Sequence, residues 1–130
     1  MRPMMIRTVV FAWAMATAVA AHAQSPTDYT QAKQRADADE ASLPAATSQT
    51  LLDAQSRVLG EAIAECATPN ADTAPFVIVA ELDAAGAVSR TWREGGTPLA
   101  ICVQKQINRK TLAAPPRAPF YTSFELSFTP

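Results

Sequence analysis

The fold is decided by residues 75–128, which read PFVIVAELDAAGAVSRTWREGGTPLAICVQKQINRKTLAAPPRAPFYTSFELSF. This stretch begins with Phe76–Leu82, a segment rich in β-branched and aromatic residues whose alternate side chains would share one face of a strand. Asp83 and Gly86 then suit the first and fourth positions of a type I turn. We therefore predict a β-hairpin in which a second strand, residues 87–93, returns beside the first.

A helix and a third strand are predicted after the hairpin. Thr97 suits an N-cap and Pro98 the first helical position, and apolar residues then recur at helical spacing to about residue 110. Prolines between residues 115 and 119 end this pattern, and the segment 120–128 has the clearest alternation in the chain. The side chains predicted to face inward from this third strand are Phe120, Phe124, Leu126 and Phe128.

The lengths of these elements predict their topology. A helix over residues 98–110 rises roughly 20 Å, about the length of the first strand, so it carries the chain back across the sheet. The third strand then runs parallel to the second and pairs with the first, which gives the order 2-1-3 with a right-handed crossover. We predict an α+β fold in which a three-stranded antiparallel sheet is covered by two helices.

The residues before this stretch predict three segments of different kinds. Residues 1–23 have a basic start, an apolar run and small residues at the end, as in a signal peptide cleaved before Gln24. An uncleaved anchor is the alternative, although the run is short for the roughly 20 residues that span a bilayer. Residues 24–47 are predicted to be a polar linker or frayed helix. Residues 48–130 form the predicted domain, which begins with an amphipathic helix ending near Cys66.

Net charge limits the class of partner, and the signal peptide predicts the location. Removal of residues 1–23 would leave nine basic and twelve acidic residues, a net charge near −3. This balance argues against a nucleic-acid partner. We expect a periplasmic or secreted protein with no stable membrane span after removal of the signal.

The mature chain offers few groups for catalysis. Its one histidine, His22, lies in the predicted signal, which removes Ser-His-Asp and Cys-His catalysis and the commonest metal ligand together. Cys66 and Cys102 are the only cysteines, and in an exported chain such a pair is more often a disulfide than a nucleophile or a metal site. We expect this disulfide to contribute roughly 4 kcal/mol. We expect no enzyme activity, no cofactor and no metal.

The second strand carries a candidate contact patch. Trp92, with Arg90 and Arg93 beside it, marks a surface that a partner could touch. Packing of Trp92 within the sheet is the alternative. Glu81 and Asp83 are explained by a strand end and a turn rather than by a catalytic pair.

These features together resemble the TonB C-terminal domain, and among its variants the AgmX/PglI-like C-terminal family. The resemblance covers about residues 51–128 and rests on the two cysteines, the hairpin stretch 82–88, the pair Pro115-Pro116 and the final aromatic strand. It implies a periplasmic protein-binding module of two helices and three strands, without a cofactor. Because the chain has no long proline-rich spacer, we expect an adaptor rather than an energy transducer.

The order 2-1-3 makes the third strand an edge. We expect main-chain groups along one side of residues 120–128 to lack partners and to pair with an extended segment of an envelope protein or peptide. A homodimer through the same edge is the competing outcome. The rival function is a small periplasmic inhibitor or immunity-type protein that blocks a secreted enzyme with a protruding loop. The predicted partner-binding residues are Tyr121, Thr122, Ser123, Glu125 and Ser127.

Overall fold

A computed structural model describes residues 24–128. The predicted signal peptide lies outside the described residues. The elements, in chain order, are α1 (Tyr29–Ala41), α2 (Ala45–Cys66), β1 (Phe76–Leu82), β2 (Val88–Glu94), α3 (Pro98–Ile107) and β3 (Phe120–Leu126). Within residues 24–128, none of the helices has the length and apolar character needed to cross a membrane.

The strands form one antiparallel sheet in the order β2-β1-β3, which confirms the predicted fold class and topology. The central strand β1 pairs with β3 in an unbroken register over the length of both strands. Its pairing with β2 shifts at a bulge, where Glu81 lies opposite Arg90 but Leu82 lies opposite Val88. The sequence does not predict this bulge because neither side of β2 is cleanly apolar.

The hairpin turn forms as predicted. The N–H of Gly86 donates to the carbonyl of Asp83 at 2.9 Å. The Asp83 carboxylate accepts hydrogen bonds from the N–H groups of Ala85 and Ala87. These bonds connect β1 directly to β2.

One face of the sheet packs against α2 and α3 and forms the main core. Thr97 caps α3 by accepting a hydrogen bond from the N–H of Ala100 at 3.1 Å, as predicted. Phe128 was expected in this core but is 36% exposed, and its ring instead lies 6.3 Å from that of Phe76 at the end of the sheet. The strand residues that form the core are Phe76, Ile78, Ala80, Leu82, Phe120, Phe124 and Leu126.

The opposite face of the sheet is covered by α1, so the sheet has three covering helices and not the two predicted. This helix lies within residues 24–47, the segment predicted as a polar linker. Ala32 and Ala36, one turn apart, are fully buried against the sheet. Because alanine adds little to local hydropathy, such a stripe is difficult to distinguish from a linker by composition. The sheet residues beneath α1 are Val79, Trp92 and Tyr121.

Candidate functional site: the two edges of the sheet

The outer edge of β3, the predicted binding edge, is already occupied along its first half. The N–H of Tyr121 donates to the Asp39 carboxylate at 3.0 Å, and the N–H of Ser123 donates to the Glu40 carboxylate at 2.8 Å. Both carboxylates belong to the end of α1. The prediction that this side of β3 lacks partners is therefore wrong at Tyr121 and Ser123, because charged acceptors from another element satisfy these donors.

A side chain of α2 closes the same edge from the core side. The Gln55 amide donates to the Thr122 hydroxyl at 2.6 Å and to the Ser123 carbonyl at 3.1 Å. The side chains of Tyr121 and Thr122 are 1% and 0% exposed, so both belong to the interior. Ser123 is half-buried. Of the predicted partner-binding residues, the exposed ones are Glu125 and Ser127.

Ion pairs also hold α1 against β3. The Arg117 guanidinium donates to the Asp39 carboxylate at 2.8 Å. The Lys33 ammonium bonds the carboxylates of Asp37 and, at 2.8 Å, Glu125. Burial opposes the charge of Lys33, but its two carboxylate partners outweigh that effect and raise its pKa. The helix is therefore fixed to the sheet mainly by polar contacts around a narrow alanine stripe.

The carboxyl group of Glu40 ionises less readily than an exposed one. Burial raises its pKa above the ordinary value of 4.5, although hydrogen bonds from the N–H and hydroxyl of Ser123 oppose this effect. The charged cap on the β3 edge therefore forms against a desolvation cost.

Sequence reasoning does not identify Asp39, Glu40 or Gln55 as residues that close an edge. A usable signal was nevertheless present. Trp92 and Tyr121 are large side chains on the sheet face opposite the main core, and such a face needs a covering element. The one segment left without a partner was residues 24–47.

The outer edge of β2 is open at two positions. In an antiparallel sheet, successive residues direct their N–H and C=O groups to opposite sides of the strand. The N–H of Ser123 points away from β1, so Val79, the β1 residue opposite Ser123, directs its N–H and C=O groups toward β2. Trp92 lies opposite Val79 on β2, and the N–H and C=O groups of Trp92 therefore pair with β1. Those of its neighbours Thr91 and Arg93 point outward. Among residues 24–128, no hydrogen-bond partner is present for these outward main-chain groups.

The beginning of the β2 edge is closed by the chain that follows α3. The N–H of Val88 donates to the carbonyl of Lys110 at 3.0 Å, and the N–H of Leu112 donates to the carbonyl of Gly86 at 2.8 Å. An added strand would therefore find its main-chain partners from Thr91 onward.

The predicted contact patch is divided between the two faces of the sheet. The Arg90 guanidinium lies 4.5 Å from the ring centre of Trp92 and donates to the carbonyl of Pro26 at 3.3 Å. Arg93 lies on the opposite face, where it bonds Gln104 of α3. Trp92 is 7% exposed, and within the described part of the chain its buried indole N–H has no partner. Trp92 is thus part of the sheet packing, while the two arginines lie on either side of the β2 edge.

Four cations that have no ion-pair partner among residues 24–128 lie on or near β2, together with the carboxylate of Glu94 at the end of that strand. Arg90 and Arg93 on β2, with Lys105 and Arg109 on and just after α3, have no carboxylate within ion-pair distance among residues 24–128. The cations that do form ion pairs lie elsewhere, and they are Lys33, Arg57, Lys110 and Arg117. The edge of β3, in contrast, is lined by carboxylates.

The cysteines form the predicted disulfide. Cys66 at the end of α2 is bonded to Cys102 in α3, with a Cα–Cα distance of 5.8 Å. Among residues 24–128, no group of three or more histidine, cysteine, aspartate or glutamate side chains is arranged to hold a metal ion. The open edge offers main-chain hydrogen bonds and cations, which are groups suited to holding an extended chain.

Comparisons with the models of known protein families, with curated proteins and with solved structures find no match to this chain.

Proposed function

We propose that this protein is an exported, disulfide-bonded adaptor that binds an extended segment of an envelope protein at an edge of its sheet. The observation that carries this proposal is the open edge of β2 at Thr91 and Arg93, which follows the beginning of the strand that the chain after α3 closes. A strand added there would form main-chain hydrogen bonds on both sides of Trp92.

Two features support export. Residues 1–23 have the pattern of a signal peptide, and a disulfide such as Cys66–Cys102 persists in oxidising compartments. The resemblance of the sequence to the TonB C-terminal domain, which rests on the cysteines, the hairpin stretch, the proline pair and the final aromatic strand, supports the proposal of a binding role. We propose that relationship for the domain alone, and an adaptor role rather than energy transduction.

Photo-crosslinking in cells that produce the full chain tests this proposal. A photoreactive amino acid replaces Ser89, which is exposed next to the open edge, or Ala64, which is exposed on α2. We expect a covalent adduct with an envelope protein from position 89 and not from position 64, and a chain that begins at Gln24. Equal adducts from both positions, or none from position 89, would reject edge binding.

A second candidate function, inhibition of a secreted enzyme, is favoured by the loop between α2 and β1. Residues 67–75 are exposed almost throughout, and the disulfide of Cys66 fixes the start of this loop. Internal hydrogen bonds stiffen it, from the N–H of Ala71 to the carbonyl of Thr68 and from the N–H of Ala74 to the Asp72 carboxylate. A stiff exposed loop can enter the active site of an enzyme. If the photoreactive amino acid is also placed at Asn70, adducts from that position and none from Ser89 would support this function.

A further inference from the structure

We infer that the segment held at the β2 edge is an extended acidic peptide, an inference that rests on the edge binding proposed above. Arg90, Arg93 and Lys105 surround the open edge, and none of them has a carboxylate partner within residues 24–128. A carboxylate-rich strand would supply the missing partners, and charge complementarity of this kind selects partners and speeds their association.

The helix α3 provides a second surface beside this edge. Ile101, Lys105 and Asn108 are spaced by four and three residues, so they lie on one side of the helix. The Thr91 hydroxyl donates to the Asn108 side chain at 3.0 Å, which places this side of α3 next to β2. Ile101 is 37% exposed there. A strand that pairs with Thr91 would therefore meet an apolar side chain and an ammonium group from α3.

Alternate side chains of an added strand would meet cations on both sides. Those directed to the α3 side of the sheet would approach Arg93 and Lys105, and those directed to the other side would approach Arg90 and, at the end of the strand, Glu94. Because the edge carries these three cations and one carboxylate, an acidic segment is favoured and a basic segment meets mainly like charges.

A second copy of this chain fits the edge poorly. In antiparallel pairing of two β2 edges with Thr91 opposite Arg93, each Arg90 would face Glu94 of the other copy. Both copies would still bring Arg93 and Lys105 to the junction without a carboxylate partner among residues 24–128, and like charges at an interface are unfavourable. The β3 edge of another copy is closed at Tyr121 and Ser123 by carboxylates and by Gln55. The occupant is therefore a different chain.

Titration of the disulfide-bonded protein with three peptides tests the inference. The peptides are ten residues long and alternate threonine with glutamate, glutamine or lysine, and the readout is the NMR shifts of assigned backbone amides. We expect the glutamate peptide to shift the amides of Thr91 and Arg93 and to bind at least about tenfold more tightly than the glutamine peptide, as expected for a net gain of one charge-assisted contact. Added salt should reduce this difference.

Three variants locate the peptide. Thr91→Pro removes an outward N–H from β2, and Glu125→Pro is its matched control, because alternation along β3 directs the N–H of Glu125 away from β1. We expect Thr91→Pro to weaken the glutamate peptide at least about tenfold and Glu125→Pro to leave it unchanged. Since Thr91→Pro also removes the threonine hydroxyl, the double variant Lys105→Glu/Arg109→Glu is measured in parallel. Neither of these side chains forms an ion pair within residues 24–128. We expect the double variant also to bind the glutamate peptide at least about tenfold more weakly than the native protein.

The outcomes separate this inference from the proposed function. Equal binding of the glutamine or lysine peptide at Thr91 would overturn the acidic chemistry while edge binding stands. Binding of the glutamate peptide that Thr91→Pro leaves unchanged, with shifts around Glu125, would overturn the choice of β2. If no peptide shifts the amides of either edge at millimolar concentration, both the inference and the edge-binding function fail.

Discussion

Gly86 is the residue on which the hairpin turn depends. Its φ is 84°, in the left-handed region, and a Cβ at this position would lie 2.4 Å from the carbonyl oxygen of Ala113. The turn and the segment that passes over it therefore require a residue without a side chain.

We predict that Gly86→Ala lowers the free energy of unfolding by at least about 2 kcal/mol, because backbone strain and overpacking add together. Gly60→Ala is the control. Gly60 lies inside α2 with no atom within 4 Å of an added Cβ, so this change should stabilise the protein by about 0.5–1 kcal/mol. Urea unfolding measures both variants, and equal effects at the two positions would contradict the role given to Gly86.

Glu40 permits a test of the cap on β3. Glu40→Ala leaves the N–H of Ser123 without an acceptor and should lower the free energy of unfolding by about 1–3 kcal/mol. Glu40→Gln keeps an acceptor oxygen and removes the charge that burial disfavours, so at pH 7 it should be at least as stable as the native protein. Equal losses for both variants would show that Ser123 needs a carboxylate specifically.

The same group gives a pH dependence of defined sign. Because folding raises the pKa of Glu40, its stabilising contribution is complete below the ordinary value of 4.5 and is lost as the pH rises through the raised value. Urea unfolding of the native protein and of Glu40→Gln from pH 4 to pH 7 should show that the native protein loses stability relative to the variant as the pH rises. A difference between the two proteins that does not change with pH would contradict this role of Glu40.

At the scale of elements, α1 is held by a combination of weak apolar and strong polar contacts. Its buried stripe consists of Ala32 and Ala36, while Asp39 and Glu40 at its end bond the main chain of β3. Isolated helices of this length are marginal in water, so α1 depends on docking for its stability. Release of α1 would expose one sheet face and the first half of the β3 edge together.

We predict that Ala36→Asp releases α1, because it places an unpaired carboxylate at a fully buried position. Ala38→Asp, on the exposed side of the same helix, is the control. In a protein that starts at Gln24, Trp92 is the one tryptophan, so its fluorescence reports directly on this face. Ala36→Asp should shift the emission to longer wavelength and speed amide exchange at Tyr121 and Ser123, and no difference between the two variants would argue against docking by the alanine stripe.

At the scale of the whole molecule, the disulfide joins the two helices that cover the main core. It links residues separated by 36 positions, and the loop that it closes contains β1 and β2. Cross-links over loops of this size reduce the entropy of the unfolded chain substantially. For a domain of this length the cross-link is a large part of the total stability.

We predict that the double variant Cys66→Ala/Cys102→Ala has a free energy of unfolding about 4 kcal/mol below that of the native protein. Native protein treated with a reductant should match the variant. Because the reduced protein keeps both sulfur atoms, it is the control for their loss in the variant. Denaturant unfolding of the three samples measures the effect. A difference below about 1 kcal/mol would contradict a stabilising role for the bond.

The sequence by itself determined the features that depend on neighbouring residues. The alternation of β1 and β3, the turn between Asp83 and Gly86 and the cap at Thr97 are local preferences, and element lengths then left one strand order. The disulfide was also predicted, because a chain with two cysteines has one intramolecular disulfide available to it and residues 1–23 have the pattern of a signal for export.

Only the tertiary structure decided which edge of the sheet is open. Asp39 and Glu40 lie 82 and 83 residues before the main-chain groups they bond, and no local pattern connects positions that far apart. The docking of α1 has the same origin, because a stripe of two alanines becomes a core surface only when the sheet presents large side chains to it. The open edge expected along β3 is therefore closed at Tyr121 and Ser123, since carboxylates that reach β3 through the fold accept hydrogen bonds from the N–H groups of both residues, whereas the outward groups of Thr91 and Arg93 on β2 have no partner among residues 24–128.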